Sequence, residues 1–447
     1  MTSHRQQARD LFAKDATLLK DLATGHVTAR VAPYILEERL AKAMEASAHT
    51  AVAPMGALQS LIRPVFAKPG IKTPTFGPHP DYCHLLGTTN TERGAVTTLF
   101  LDIAGSTRLG LVYPLDVVYQ IKNAVLCAAI EIVNAFDGHV HRLMGDAALA
   151  FFGGKGRRVE NGAIDALNCA ATLRYYIEKV VAPALESIGG PDGGVGIRIG
   201  ADHGPAQQVL WSAYGYPGNE EVTATSFHVD VAAKLQHAAG RNQVMIGQSL
   251  RDLLDFPEEL LRDKTETVDG KEQLIPFIRP NYTLKDGTKL NYRQHLLRWD
   301  TYLGTTGVAT FDPERFASGV TNPDDCDVTV TIHAANEGPI EGVYGPSACM
   351  VSKGKQLRFA VRNKSPWLKG SAVTFDVENH GSEANKAPNG NRSNHKSTAV
   401  LGVGADAAVC WEPTEFRGLH YMTITVAGMS TTASAPIFRQ RVGVYIE

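Results

Sequence analysis

Apolar positions along this chain follow two periods, and the change between them divides it into regions. Leu11, Leu18, Leu19 and Leu22 fall at helical spacing, and Ile35, Leu36, Leu40 and Met44 make a second amphipathic helix after Pro33. Pro54, Pro64, Pro69, Pro74, Pro78 and Pro80 then break regularity, so residues 1–90 read as a helical arm with a Pro-rich linker that wraps the body or a partner subunit. Val96–Ile103 is an apolar, β-branched run of strand character. Leu115–Phe136 carries Val118, Ile121, Val125, Ala129, Ile132 and Phe136 on one stripe, which predicts a helix packed on a sheet. Gly138–Phe152 holds two apolar half-strands, HVHRLM and AALAFF, with Gly145-Asp146 at the tip between them. A second helix is predicted over Asn161–Val180. Val195–Trp211 alternates like a hairpin, and Glu221–Ala239 passes from a strand into a helix ahead of the strand Gln243–Gly247.

A connector, 273–322, contains the hairpin signal Asp286-Gly287. From Asp327 the period becomes two: VTVTIHAA, KQLRFAVRN, AVTFDVEN, STAVLGVG, HYMTITVAG and RQRVGVYIE alternate between Gly-, Asn-, Pro- and Ser-rich turns. Residues 323–447 are therefore expected to form an all-β, immunoglobulin-like sandwich with Trp367, Trp411, Phe375 and Tyr421 in its core. His380, His395 and His420 read as loop polars, and His139 and His141 as solvated strand positions.

Composition narrows the classes. A chain of 447 residues with 44% hydrophobic and 20% charged residues is an ordinary globular protein of two to four domains. A formal net charge of −2 gives no sign of a nucleic-acid or membrane partner. The six cysteines show no CxxC spacing and are expected to be reduced and buried. No run approaches the ~18 apolar residues of a membrane helix, which makes the expected location cytoplasmic.

Two carboxylates carry the candidate chemistry. Asp102 ends the Val96–Ile103 strand just before the turn Ala104-Gly105-Ser106-Thr107, and Asp146 sits at the tip of the next pair of strands. Strands joined by a helix can hold both side chains over one spot, where they repel unless a cation lies between them. Oxygen ligands of this kind suit Mg²⁺ or Mn²⁺ beside a triphosphate. The backbone N–H groups of the Gly105-Ser106-Thr107 turn, opening a helix, would meet the phosphates.

FLDIAGST and HRLMGDAALAFF, at this separation, resemble the paired motifs of class III nucleotidyl cyclases, a likeness that spans roughly residues 94–255. The resemblance implies an α/β (α+β), palm-like catalytic domain over 91–272, with a mostly antiparallel sheet and flanking helices. It implies two Mg²⁺ or Mn²⁺ ions per site, held at Asp102, Ile103 and Asp146. It also implies a head-to-tail homodimer whose two sites each draw on both subunits. Counting the family's intervals along the later strand and helix lands on Thr223 for a base contact, Asp230 for the ribose and Lys234 for the α-phosphate. The intervals match while the residue types depart from the family's Asn and Arg, although Asp230 and Lys234 share one helical face.

The other base-reading position falls on Arg142. Arg offers donors only and seeks carbonyl acceptors. Uracil, with two carbonyls and an N3–H for the Thr223 hydroxyl, fits best, cytosine less fully, guanine less again and adenine worst. Non-purine readers followed by a β-sandwich resemble the Pycsar pyrimidine cyclases of bacterial anti-phage defence. That resemblance implies cyclic UMP or cyclic CMP as product, a separate effector that responds to it, and a sensor or regulatory role for the sandwich. A guanylate cyclase and a non-catalytic nucleotide-binding module remain the alternatives; no GGDEF-type signature points to a diguanylate cyclase.

Overall fold

The computed structural model describes residues 55–187, 195–387, 393–402, 407–427 and 436–447. The two amphipathic helices expected before Pro54 lie outside these residues. In chain order the N-terminal portion contains α1 (Ala57–Val65), β1 (Thr91–Arg93), β2 (Val96–Ile103), α2 (Ser106–Val112), α3 (Leu115–Ala135), β3 (His139–Met144) and β4 (Ala147–Phe152). It continues with α4 (Val159–Tyr176), α5 (Ala182–Ser187), β5 (Ile197–Gly204), β6 (Leu210–Tyr216), β7 (Asn219–Thr225), α6 (Phe227–Ala238), β8 (Gln243–Gly247) and α7 (Gln248–Leu253). A run of short strands follows: β9 (Leu261–Asp263), β10 (Thr265–Val268), β11 (Lys271–Leu274) and β12 (Gln294–Leu297).

A seven-stranded sheet in the order β3-β4-β2-β5-β8-β12-β9 is the frame. Its pairs are antiparallel except β5 with β8, which the crossover through α6 makes parallel. Because strand side chains alternate, Leu99, Leu101, Ile103, Ile197, Ile199 and Ala201 face the core shared with α3 and α4. Asp102, Arg198, Gly200 and Asp202 fall on the opposite face, under α6. A Cβ on Gly200 would lie 2.1 Å from the backbone nitrogen of Gln236, so glycine there lets α6 lie directly on the sheet.

The C-terminal portion opens with α8 (Trp299–Leu303) and, apart from a short helix at Gly381–Ala384 and two 3-10 turns, is β structure. Strands β13 (Val320–Thr321), β14 (Cys326–His333), β15 (Ile340–Tyr344), β16 (Met350–Val351), β17 (Gln356–Asn363), β18 (Ala372–Glu378), β19 (His395–Val400), β20 (Ala408–Pro413), β21 (Gly418–Val426) and β22 (Phe438–Ile446) form two sheets. One has the order β15-β14-β17-β20; the other has β13-β22-β21-β18-β19, with the short β16 parallel to β22. Val330, Phe359, Phe375, Ile424 and Val442 fill the space between them.

This β unit does not hang free. Met350, Leu419, Tyr421 and Tyr445 join the same apolar core as Ile164, Tyr302 and Phe316. A buried polar ladder crosses the joint: Asn168 donates to the Ser347 carbonyl at 2.9 Å, Tyr302 to Asn168 Oδ1 at 2.8 Å, and Tyr445 to the Tyr302 hydroxyl at 3.2 Å.

Several expectations change. The Pro-rich linker contains α1, which buried Arg63 ties to Asp137 at 2.9 Å. Val195–Trp211 is not a hairpin: β5 belongs to the seven-stranded sheet, while β6 leaves it to pair with β1 and β7. The expected connector 273–322 gives β12 to the central sheet, while Asp286-Gly287 does form a turn, with Gly287 at φ +85°. His139 and His141 are buried rather than solvated, both on the Gly77 carbonyl, at 2.9 and 2.8 Å. His395 and His420 lie on strands rather than in loops, and His420 is buried. Phe375 fills the sandwich core as expected, joined by Met422, but Trp367 is 59% exposed and Trp411 half-buried, and Tyr421 turns toward the N-terminal portion. All six cysteines are free, but Cys83 is exposed and Cys127 and Cys349 are only partly buried.

Candidate active site

Asp102 is the penultimate residue of β2 and stands opposite Ala147, the residue after Asp146 on the β3–β4 turn. The registers thus bring both carboxylates to one end of the sheet. Gly145, at φ +69°, makes the tight turn that an L side chain would strain. Gly105, at φ +76°, turns the chain from β2 into α2, placing Ser106 and Thr107 at the start of that helix beside Asp102.

The two carboxylates have different surroundings. Asp102 is held by Arg198, directly across on β5, and by Gln236 Nε2 of α6 at 3.3 Å. Asp146 Oδ2 is buried and has no hydrogen-bond partner. A buried carboxylate oxygen without a donor is costly unless a cation meets it. Hard oxygen donors on Asp102 and Asp146, with the Ile103 carbonyl beside them, fit Mg²⁺ or Mn²⁺. Among the described residues no group of three or more His, Cys, Asp or Glu side chains forms a metal cluster, so the candidate centre rests on these two carboxylates.

Asp230 and Lys234 lie on a different face of α6 from Gln236. They line a cavity of about 1130 Å³ between α6 and the segment running from β10 to β12. Lys234 Nζ stands 5.6 Å from the Tyr282 ring centroid, and Lys264 and Arg279 lie on the same wall, both paired with Glu266, at 3.9 and 2.7 Å. One helix therefore presents a residue to Asp102 on one side and the Asp230–Lys234 pair to the cavity on the other. Within a single chain the metal-type carboxylates and this pair are separated.

The helix is anchored at its N-terminus. Ser226 caps it by accepting from the His228 N–H at 3.2 Å. Buried Asp202 holds His228 Nδ1 at 2.9 Å and accepts from the Tyr292 hydroxyl at 2.7 Å. Burial raises the Asp202 carboxyl, and the His228 and Tyr292 bonds pull it back.

Arg142 projects from β3 to Glu221 on β7, with a 2.9 Å bond from Nε. His141 Nε2 stands 3.0 Å from the same carboxylate. Thr223 is two residues beyond Glu221 on the same face of β7 and pairs in register with Ser212 of β6. Glu221 is thus the acceptor that Arg142 reaches, and Thr223 stands two residues further along the same strand.

Arg198, Glu221, Lys264, Arg279 and Tyr282 escaped the sequence reading. Arg198 carried a signal, since an arginine in the alternating IRIG strand lies one face away from its apolar neighbours. The other four depend on strand pairing and on the path of the segment before β12.

With this geometry in view, comparison with known proteins places the molecule in a class and then a family. The model for the "Adenylyl/Guanylyl and SMODS C-terminal sensor domain" matches residues 311–447. A cytidylate cyclase of Escherichia coli is 33% identical over 97% of both chains, and a second is 34% identical over 84% of this chain and 80% of its own. A cytidylate cyclase of Staphylococcus aureus is 33% identical over 81% of each chain. Among solved structures, the adenylyl cyclase CyaB from P. aeruginosa covers 46% of this chain and 95% of its own at 17% identity and a TM-score of 0.37, too loose a likeness to bear on mechanism. The chain belongs to the Pycsar-type family of pyrimidine nucleotide cyclases, phosphorus–oxygen lyases of the nucleotidyl cyclase class. No helix among the described residues is long and apolar enough to cross a membrane.

Proposed function

We propose that this chain converts CTP to cyclic CMP and pyrophosphate in sites shared between two copies of itself. The observation that carries the reading is the buried, unpartnered oxygen of Asp146 at the sheet end that also holds Asp102. A divalent cation on these carboxylates would supply charge neutralisation for the triphosphate and acidify the attacking hydroxyl. Arg198, paired with Asp102, would be free to turn its guanidinium to the anionic phosphates were a cation to take that carboxylate. Asp230 of the second subunit orients the ribose, and Lys234 places its ammonium on the α-phosphate. The 3′ oxygen bonds to the α-phosphorus, the bond to pyrophosphate breaks, and the 3′ proton leaves to solvent. Positioning and electrostatics supply most of the acceleration.

Base choice rests on the Arg142–Glu221 pair. Cytosine presents an amino donor beside a ring-nitrogen acceptor, which a carboxylate and a guanidinium can match side by side. The cytidylate cyclases among its relatives support the same base. UTP is the second reading, favoured by Arg142 for a carbonyl and the Thr223 hydroxyl for N3–H. The family resemblance supports a second-messenger role in anti-phage defence, acting through a separate effector. Incubation with each of ATP, GTP, CTP and UTP and Mn²⁺, with products resolved by mass, tests the reading. Cyclic CMP as main product supports it, cyclic UMP transfers it to the second reading, and cyclic GMP or no product overturns it.

A further inference from the structure

Glu221 meets two basic side chains, and only one of them is always charged. Arg142 donates from Nε to Oε1 at 2.9 Å and pairs through Nη2 with Oε2. A guanidinium on both oxygens keeps this carboxylate an anion, able only to accept. On its other side lies His141, whose side chain is 1% exposed against 33% for Glu221. His141 Nδ1 is 2.8 Å from the Gly77 carbonyl, which can only accept, so the single proton of the neutral ring is fixed on Nδ1. Nε2 therefore turns a lone pair toward Glu221 Oε1, 3.0 Å away. That nitrogen is buried and, among the described residues, completes no hydrogen bond.

Such a contact has two states. Two lone pairs at this distance repel, so the neutral ring presses the carboxylate outward, toward Arg142 and an incoming base. A proton on Nε2 reverses the sign and draws the carboxylate inward. The surroundings decide when that proton arrives. Burial holds the imidazole below the ordinary histidine value, the Gly77 bond pulls it back, and Arg142 and His139 on β3 press it down again. His79, from the segment before β1, adds a further imidazole nearby, and Phe151 of β4 contributes only its ring, 5.0 Å away. Glu221 of β7 is the one anion in contact with the ring. His141 is thus neutral at pH 7 and charges only on the acid side of about 6.5.

We propose that His141 is a positioning residue that governs base choice. Neutral, it leaves Glu221 to accept from the amino group of cytosine; protonated, it withdraws Glu221 and frees Arg142 to donate to the 4-carbonyl of uracil. The inference rests on the reading of Arg142 and Glu221 as the base readers. Its test is competition: an equimolar mixture of CTP and UTP with Mn²⁺, turned over from pH 8 to pH 5, with cyclic CMP and cyclic UMP resolved by mass. Both substrates share the enzyme, the metal and the triphosphate, so the product ratio isolates the base. In the wild type the ratio of cyclic CMP to cyclic UMP should fall roughly fivefold or more below pH 6.5. His141→Gln, which cannot titrate, should hold one ratio across the range. Should His141→Gln fail to fold by near-ultraviolet circular dichroism, Glu221→Gln, with no charge to draw inward, carries the same expectation. A wild-type ratio that stays constant with pH overturns the inference, while cyclic CMP at neutral pH leaves the base reading standing. A fall that persists in both variants also overturns it. Absence of cyclic CMP at every pH overturns the base reading and this inference with it.

Discussion

At the scale of single residues, Asp102 and Asp146 were legible because a carboxylate at an apolar strand end is conspicuous in one dimension. Asp102→Ala or Asp146→Ala should each lower turnover by two or more orders of magnitude with the fold intact, read by product mass and circular dichroism. Glu221 was not legible, because only the approach of β7 to β3 shows it beside Arg142. Glu221→Gln should raise KM for the preferred pyrimidine substrate by roughly tenfold and leave kcat nearer wild type, since it removes a contact to a non-reacting base. The buried histidines speak to pH. Burial lowers His79, His203 and His420, each to about 4, from an ordinary value near 6.5. Below pH 6.5 the unfolded chain takes up protons that the folded chain refuses, so stability falls as pH drops from about 6.5 toward 4. Thermal melts across that window should show Tm decreasing with acidity, and His420→Gln should flatten part of the slope.

Among the elements, α6 is decisive. Its apolar stripe and the Asp230–Lys234 spacing were readable, but which neighbours lie on its two sides was not, because β6 departs for another sheet and the chain returns through β12. That path hid the cavity wall made by Lys264, Arg279 and Tyr282. The helix sits close because residue 200 lacks a side chain, so Gly200→Val should displace α6 and remove activity together with a large part of stability. The separation of the two half-sites leads to a complementation experiment. Equal amounts of Asp102→Ala and Lys234→Ala subunits, each inactive alone, should together recover up to about a quarter of wild-type activity, since half the dimers are mixed and each has one intact site. No recovery would count against a shared site.

For the whole molecule, alternating strands after Asp327 announced a β unit, and the structure shows two sheets with an apolar filling. The joint was illegible, because a strand residue such as Tyr445 or Leu419 reads the same whether it faces the partner sheet or another portion of the chain. Here both complete the core around Tyr302 and Ile164. Residues 1–310 expressed alone should therefore aggregate or lack a cooperative melt, rather than yield a trimmed active cyclase. The same shared core has a consequence for synthesis. A ribosome delivers Asp102 and Asp146 early and β22 late, and until β22 emerges Tyr445 cannot close the wall behind α4. A half-made chain thus holds every group the chemistry needs on a body that has not yet set. Activity is therefore expected only once translation has passed β22, and a prematurely terminated message stays silent.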